Sequence, residues 1–222
     1  MVTITSTPTE QQVPTETKPA ETKVFLRSVS WQTYKALMVD VGEDRAWRIA
    51  YNGEVLEIRM PLQEHELPKI MIAKFLAALS EELEIEIMEL GSLLLEREDL
   101  TRAIEPDTCF YIQNESLVRG RNIQLPNDPP PDLALESDYT NSSLNKFAIY
   151  AALGVPELWR YRHQTLTVYQ LVEGQYQEVD RSLAFPFLPI AEVPGFMEQS
   201  IIIGQRSAVR LFRQRIREIL GN

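Results

Sequence analysis

The sequence has almost none of the residues that build disulfides and zinc sites. Its 222 residues include one cysteine, Cys109, and two histidines, His65 and His163. A single cysteine cannot form a disulfide within the chain, and so few cysteines and histidines argue against a zinc site. We therefore expect a reduced, cytoplasmic protein without a zinc centre.

Long apolar runs and an excess of positive charge are also missing. No stretch approaches the about 20 apolar residues of a membrane helix, and the N-terminus lacks the basic and apolar regions of a signal peptide. The formal net charge is −10, from 22 Lys and Arg against 32 Asp and Glu. This balance argues against a general nucleic-acid coat and against binding to anionic membranes. It leaves room for an enzyme that contacts nucleic acid through a local basic patch.

The chain divides into a polar N-terminal tail and one folded domain. Residues 1–22 are rich in Thr, Pro, Glu and Gln. Such a composition cannot bury enough surface to offset the entropy of ordering, so we expect this tail to be disordered. The whole chain is 44% hydrophobic, an ordinary value for a globular protein. No second linker interrupts residues 23–222, which we interpret as a single domain.

Hydrophobic periodicity predicts helices and strands in alternation along this domain. Asn52-Gly53, between two strand-like runs, is the strongest short-range signal for a β-hairpin. From residue 65 onward the pattern indicates helix, strand, strand, strand, helix, strand, which predicts an α/β fold with a mixed sheet and helices packed on it. The strands are expected at 84–90, 107–113, 132–137, 156–162, 165–172 and 175–180. The helices are expected at 29–41, 66–83, 144–153 and 205–220, and Ser142 or Ser143 is expected to cap the third of them. Residues 182–200 are expected to be irregular.

Two acidic residues, Asp107 and Glu136, are predicted to meet inside the sheet. If strands 107–113 and 132–137 pair as an antiparallel hairpin, the start of the first lies beside the end of the second. Directly opposite residues are roughly 4.5–5.5 Å apart at Cβ, so these two carboxylates could hold one metal ion. Asp132 shares a face with Glu136 but lies about 13 Å along the strand, too far to share that ion.

A divalent cation would remove the cost of burying two carboxylates side by side. Mg²⁺ suits such a site, with Mn²⁺ as a substitute, because it takes one or two carboxylates and keeps water and substrate phosphates as its other ligands. Lys146, early on the following helix, could reach back to stabilise charge on a phosphate. Glu66 and Asp132 are candidate auxiliary acids. The alternative, that these acids are solvated at the edge of a sheet, stays open.

Basic residues are clustered in two segments, although the net charge of the chain is negative. One is a stripe on the C-terminal helix, beside an apolar stripe, and the other is the long connection between the two acid-bearing strands. Either could contact a phosphate backbone, and the alternative for the helix is a docked amphipathic element with a solvated polar face. The helix residues are Arg206, Arg210, Arg213 and Arg217, and those of the connection are Arg119 and Arg121.

Four motifs follow one another in the order GEVLEIRMPLQEHE, IEPDTCFYIQN, PPPDLALES and LNKFAIYAALGVPELW. Together they resemble the Uma-type family of restriction-endonuclease-like proteins, a large bacterial group within the PD-(D/E)xK nuclease superfamily. The resemblance spans roughly residues 28–200. It implies a restriction-endonuclease-like core, here with an N-terminal hairpin and a C-terminal helix, and Mg²⁺-dependent hydrolysis of phosphodiester bonds in DNA. By motif position Asp107 is similar to the first metal-binding aspartate, and Glu136 to the acidic residue of the (D/E)xK element.

The lysine of the strict motif is displaced. Asp138 stands two positions after Glu136, where the motif has Lys, and the basic residue of the family corresponds to Lys146 on the next helix. The resemblance implies catalysis by Asp107, Glu136 and Lys146, with the first two as metal ligands. Cleavage of both strands usually requires two sites, so a homodimer is expected. The displaced lysine and the acidic net charge also keep open an inactive module of the same fold that binds nucleic acid or a partner protein.

Overall fold

Two β-sheets flanked by helices form the part of the chain that the computed structural model describes, residues 22–42, 44–60, 63–137 and 144–221. The helices are α1 (Trp31–Val41), α2 (Gln63–Leu83), α3 (Glu115–Val118), α4 (Lys146–Leu153), α5 (Val193–Ile203) and α6 (Gln205–Leu220). The strands are β1 (Thr22–Leu26), β2 (Arg48–Tyr51), β3 (Leu56–Met60), β4 (Met88–Glu89), β5 (Leu95–Arg97), β6 (Arg102–Ile104), β7 (Thr108–Tyr111), β8 (Leu133–Ser137), β9 (Glu157–Arg162), β10 (Thr165–Val172) and β11 (Gln175–Val179).

The first sheet is antiparallel and has the strand order β1-β3-β2-β6-β5. Its centre is the predicted hairpin, in which Tyr51 pairs with Leu56. The side chain of Asn52 closes the turn by accepting a hydrogen bond from the N–H of Val55 at 2.8 Å. Gly53 has a φ of 93°, a conformation that side-chain-bearing residues rarely adopt. The Asn-Gly pair therefore specifies this hairpin as expected.

The second sheet is mixed and has the strand order β11-β10-β9-β8-β7-β4. β7 and β8 pair antiparallel, with Thr108 opposite Leu135, whereas β8 and β9 run parallel and are connected through α4. One step beyond that pair, Asp107 stands beside Glu136, and its N–H donates to the carbonyl of Leu135 at 3.1 Å. The predicted α/β class and the predicted pairing of the two acid-bearing strands are confirmed.

Hydrophobic side chains cover both faces of this second sheet. On one face α2 and α6 pack together, and the rings of Phe75 and Phe212 lie 4.6 Å apart between centroids. On the other face α4 contributes Ile149 and Tyr150. All five residues of β8 are buried, so an acid on this strand cannot be solvated and must find partners within the protein. The alternative of solvated acids at a sheet edge is wrong for Glu136.

Two local predictions differ from the structure. The alternating segment 84–90 contributes only the two residues of β4, Met88 and Glu89, which pair with Tyr111 and Phe110 of β7, and the N–H of Leu90 adds one hydrogen bond to the carbonyl of Cys109. The segment 182–200 is irregular only as far as residue 189: it continues with a 3₁₀ turn at Ile190–Glu192 and most of α5. Pro194 lies in the first turn of α5, where a missing N–H costs nothing, so a residue that suggests irregular structure here begins a helix.

Some predictions fall on residues outside the described ranges. They are the N-terminal tail apart from Thr22, which begins β1, the alternative helix caps Ser142 and Ser143, and the side chain of His65. Asp138, at the position of the displaced lysine, also lies outside them. Within the described ranges α4 is capped by Asn145, whose side chain accepts from the N–H of Ala148. None of the helices there is long and apolar enough to span a membrane.

Candidate active site

The two predicted acids, Asp107 and Glu136, meet at one end of the second sheet, and the guanidinium of an arginine lies between them. Asp107 is 4% exposed and Glu136 is 2% exposed. Arg59, on β3 of the other sheet, places Nη1 2.9 Å from Oδ1 of Asp107 and Nη2 3.5 Å from Oε2 of Glu136. The Arg59 side chain is itself only 2% exposed. A single buried guanidinium therefore serves both carboxylates.

Helix α4 brings two more donors to Glu136. Lys146, its first residue, donates from Nζ to Oε2 of Glu136 at 2.8 Å. Tyr150 follows four residues later, on the same face of the helix, and its hydroxyl donates to Oε1 at 2.5 Å. Each oxygen of Glu136 thus has a donor on α4, and the predicted reach of Lys146 back to the sheet is present in the structure.

Asp107 is held from the first sheet and from β8. Its Oδ1 accepts a hydrogen bond from Nη1 of Arg48 at 2.7 Å in addition to its contact with Arg59. Its Oδ2 accepts from the N–H of Ser137 at 2.6 Å and from the hydroxyl of Ser137 at 2.8 Å. The carboxylate therefore connects the two sheets and uses both of its oxygens to do so.

Burial and neighbouring charges determine the protonation of Asp107 and Tyr150. Burial alone would raise the pKa of Asp107, but the positive charges of Arg59, Lys146 and Arg48 outweigh it and hold that pKa well below its usual range. Burial, followed by the negative charge of Glu136, raises the pKa of Tyr150 well above its usual value. At neutral pH Asp107 is therefore ionised and the phenol of Tyr150 remains a hydrogen-bond donor.

Positive side chains surround the two acids. Among the described residues, Arg48 and Arg59 pair with Asp107, Arg59 and Lys146 pair with Glu136, and a further acid, Glu66, lies 3.8 Å from Arg48. Positive groups of this kind can attract an anion such as a phosphate group. The acid cluster is the set Asp107, Glu136, Arg48, Arg59 and Lys146.

The two candidate auxiliary acids have different surroundings. Glu66 lies near the cluster, with Oε1 3.8 Å from Nη2 of Arg48, and it also pairs with Lys69. Asp132 lies at the opposite end of β7, where Oδ2 accepts from the N–H groups of Ile112 at 2.7 Å and Asn114 at 3.0 Å. Asp132 therefore closes the turn after β7, and the structure does not bring it to the other acids.

A cleft of about 560 Å³ opens beside Arg48. This volume is within the roughly 300–1,000 Å³ that is usual for ligand sites. Arg48 lines the cleft and also bonds Asp107, so the cleft adjoins the acid cluster at this arginine, whereas Asp107, Glu136 and Lys146 do not line it. Its other polar and aromatic lining residues include Arg45, Trp47, Glu66, Lys69 and Asn122.

The predicted basic groups are partly engaged with acids. In the connection, Arg119 pairs with Glu115 and Arg121 with Asp128 at 2.8 Å, although both arginine side chains are more than half exposed. Adjacent to Arg121, Asn122 lines the cleft, so the connection borders that cleft. On α6, Arg213 and Arg217 pair with Glu82 of α2, whereas Arg206 and Arg210 are exposed.

Sequence reasoning missed Arg48, Arg59, Ser137 and Tyr150. The position of Arg59 in the strand LEIRM could have indicated a role, because a charged residue in a buried strand is rarely without a partner. Tyr150 could have been found from its spacing of four residues after Lys146 on a helix. Nothing in the sequence pattern indicates that Arg48 and Ser137 would bond Asp107.

Comparison with known proteins places the chain in a family. The model of the Uma2 family, described as "Putative restriction endonuclease", matches residues 31–197. Among solved structures, a protein from Anabaena variabilis ATCC 29413, described as a putative nuclease belonging to DUF820, is similar with a TM-score of 0.47 and 12% identity, over 82% of this chain and 99% of that one. No curated protein matches the chain. Because the family match spans well over half of the sequence and includes Arg59, Asp107, Glu136 and Lys146, the resemblance drawn from the four motifs is confirmed, and the protein belongs to the Uma2 family of restriction-endonuclease-like proteins.

Proposed function

We propose that the protein is a Mg²⁺-dependent endonuclease that hydrolyses phosphodiester bonds in DNA in the cytoplasm, with Mn²⁺ as a substitute ion. The observation that carries this proposal is the convergence of Asp107, Glu136 and Lys146 at one end of the second sheet, with Lys146 Nζ 2.8 Å from Glu136. Phosphodiester hydrolysis needs ligands for a cation and a positive group near the developing charge, and these three side chains supply both. Membership of the family is consistent with this chemistry.

The donor set fits Mg²⁺ in kind. Asp107 and Glu136 offer hard carboxylate oxygens from neighbouring strands, and Mg²⁺ in proteins is typically held by one or two carboxylates with water and substrate phosphate completing its ligands. Across the described ranges, no group of three or more His, Cys, Asp or Glu side chains is arranged around a common point. These two acids would hold the ion, which when bound would supply an activated water and neutralise charge on the phosphate.

The remaining residues position these groups. Tyr150 and Lys146 together fix the orientation of Glu136 by donating to its two oxygens. The ammonium of Lys146 can also donate to a phosphate oxygen beside Glu136. Arg48 links the cluster to the cleft, so a phosphate entering there meets positive charge before it reaches the acids.

DNA is the proposed partner, and the cleft is its proposed route. Arg119 and Arg121 lie on the connection that borders this cleft, and we assign them to the phosphate backbone. Arg206 and Arg210 on α6 are exposed and are further proposed contacts. A homodimer would provide the two sites that cleavage of both strands requires.

One observation favours a second candidate function. Arg59 already satisfies both carboxylates, so the cluster is stable as it stands without an added cation. A module of this fold that binds nucleic acid or a partner protein without turnover would have such a self-neutralised site.

Cleavage of supercoiled plasmid separates the two candidates. Purified protein is incubated with plasmid and Mg²⁺ or Mn²⁺, beside a Glu136→Gln variant prepared in the same way. Nicking by the wild type alone supports the nuclease and its assignment to this site. Equal cleavage by both proteins, or none by either while DNA binding persists, would favour the binding module.

A further inference from the structure

Arg59 is as deeply buried as Glu136, each 2% exposed. Its guanidinium reaches Oδ1 of Asp107 at 2.9 Å, Oε2 of Glu136 at 3.5 Å and the carbonyl of Glu105 at 3.2 Å. A charged side chain is almost never fully buried unless it is paired, so the position of Arg59 depends on these acids. The acids in turn obtain from Arg59 the shared positive charge that two neighbouring buried carboxylates need.

Arg59 forms an ion pair with each of the two carboxylates, at Oδ1 of Asp107 and at Oε2 of Glu136. Every oxygen of the two acids has a further donor: Oδ1 accepts from Arg48, Oδ2 from Ser137, Oε2 from Lys146 and Oε1 from Tyr150. A cation held by both carboxylates would have to lie between them, and that is the position of the Arg59 guanidinium. The guanidinium and the ion cannot both occupy that position.

Electrostatics adds to this steric conflict. A divalent ion placed beside Arg59 would be repelled by the positive charge of the guanidinium. Removing the guanidinium takes that charge away from between Asp107 and Glu136, which makes entry of the ion more favourable.

We propose that Arg59 is a built-in competitor of the metal: its guanidinium holds the place of the divalent cation between Asp107 and Glu136, and the ion binds there only when the guanidinium moves away. This inference rests on the proposed metal site and adds a residue that sets its affinity. The metal-free protein is thereby stable, and the wild-type site binds divalent ions weakly in the absence of substrate.

Metal binding to the full chain tests the competition without any substrate. Mn²⁺ is titrated into wild type and Arg59→Met, and the free ion is followed by electron paramagnetic resonance. An opposite charge within about 4–6 Å lowers the proton affinity of a carboxylate by roughly 10- to 1,000-fold, so we expect Arg59→Met to bind one Mn²⁺ at least about tenfold more tightly than wild type.

Two control variants test whether the gain in Mn²⁺ affinity arises at Asp107 and Glu136. Arg213→Met removes the same charge from the α2–α6 contact, far along the chain from the cluster, and should leave Mn²⁺ affinity as in wild type. Adding Asp107→Asn to Arg59→Met should abolish the gain, because it removes a proposed ligand. An equal gain in Arg213→Met, or no gain in Arg59→Met, overturns the proposal.

Arg59→Met leaves two buried carboxylates without their shared cation, so its folding also reports on the site. Its thermal midpoint should fall without metal and rise with Mn²⁺ by more than the wild-type midpoint does, since an ion that binds only the folded state stabilises it. If Arg59→Met does not fold at any Mn²⁺ concentration, Arg59→Lys replaces it, because a single ammonium cannot span both acids and should also raise the affinity. Micromolar Mn²⁺ binding by the wild type itself would refute the competition whatever the variants do.

These readouts are distinguishable from the nuclease assay. If the plasmid is not cleaved but Arg59→Met gains metal affinity, the competition stands and the proposed function fails. If the wild type cleaves DNA and Arg59→Met gains no affinity, the proposed function stands and the competition fails.

Discussion

The buried pair between Lys146 and Glu136 should contribute far more to stability than a surface pair of the same length. The Lys146–Glu136 distance is 2.8 Å, and both side chains are at most 6% exposed. Lys35 and Glu96 are 2.7 Å apart, but their side chains are 43% and 29% exposed. The two pairs therefore differ mainly in burial, which makes Lys35→Met a matched control for Lys146→Met.

The expected magnitudes follow from that difference. Removing one partner of a buried ion pair costs about 3–5 kcal/mol, because the other charge is left in a medium of low dielectric constant. Glu136 keeps its contacts with Arg59 and Tyr150, so we expect the lower end, about 3 kcal/mol, for Lys146→Met. Exposed pairs contribute about 0–1 kcal/mol, which we expect for Lys35→Met.

Urea unfolding followed by tryptophan fluorescence measures both costs. Adding Glu136→Gln to Lys146→Met should recover part of the loss, since the charge left by the lysine is then neutralised. Equal costs for Lys146→Met and Lys35→Met would refute the reasoning. So would strict additivity of the Lys146→Met and Glu136→Gln effects.

Three further predictions follow from the same structure. The folded-state pKa of Asp107 lies below its unfolded value of about 3.9, so the stability that its carboxylate contributes is present above that pH and is lost as the pH falls below it. Asp107→Asn should therefore weaken the fall in unfolding free energy below that pH. An unchanged fall in the variant would contradict this. Burial raises the pKa of the Cys109 thiol to about 12. Ellman's reagent at pH 8 should therefore react with Cys109 rapidly in urea but slowly in the native protein, and fast native labelling would show that the thiol is accessible. Neutralising Arg119 and Arg121 with glutamine should reduce the slope of log K against log salt for DNA binding by roughly two, as expected for two lost phosphate contacts, and an unchanged slope would remove the connection from the interface.

The sequence predicted the parts of the site that depend on local pattern. The pairing of Asp107 with Glu136 followed from two strands close in the chain, whose antiparallel register leaves little choice. The approach of Lys146 followed from its place at the start of the next helix. Both predictions required only neighbouring elements.

The remaining features depend on contacts between distant segments. Arg59 reaches Asp107 only because the first sheet packs against the end of the second, and no periodicity reveals that packing. Arg213, on a stripe for which both phosphate contact and a docked helix were open, bonds Glu82, which is 131 residues earlier in the chain. An arginine on an amphipathic helix looks the same in sequence whether it faces solvent or an acid on a neighbouring helix.

The central claim, that Asp107 and Glu136 form one metal-dependent hydrolytic site, is tested most directly by the rate of plasmid nicking against Mn²⁺ concentration for wild type and Asp107→Asn. Circular dichroism first establishes that both proteins are folded under the assay conditions. We predict that the wild-type rate rises with Mn²⁺ and that Asp107→Asn is slower by about 100-fold or more, since even changes to groups that only support metal ligands cost roughly 10- to 100-fold. Nicking by Asp107→Asn at the wild-type rate, with the same Mn²⁺ dependence, would contradict the account.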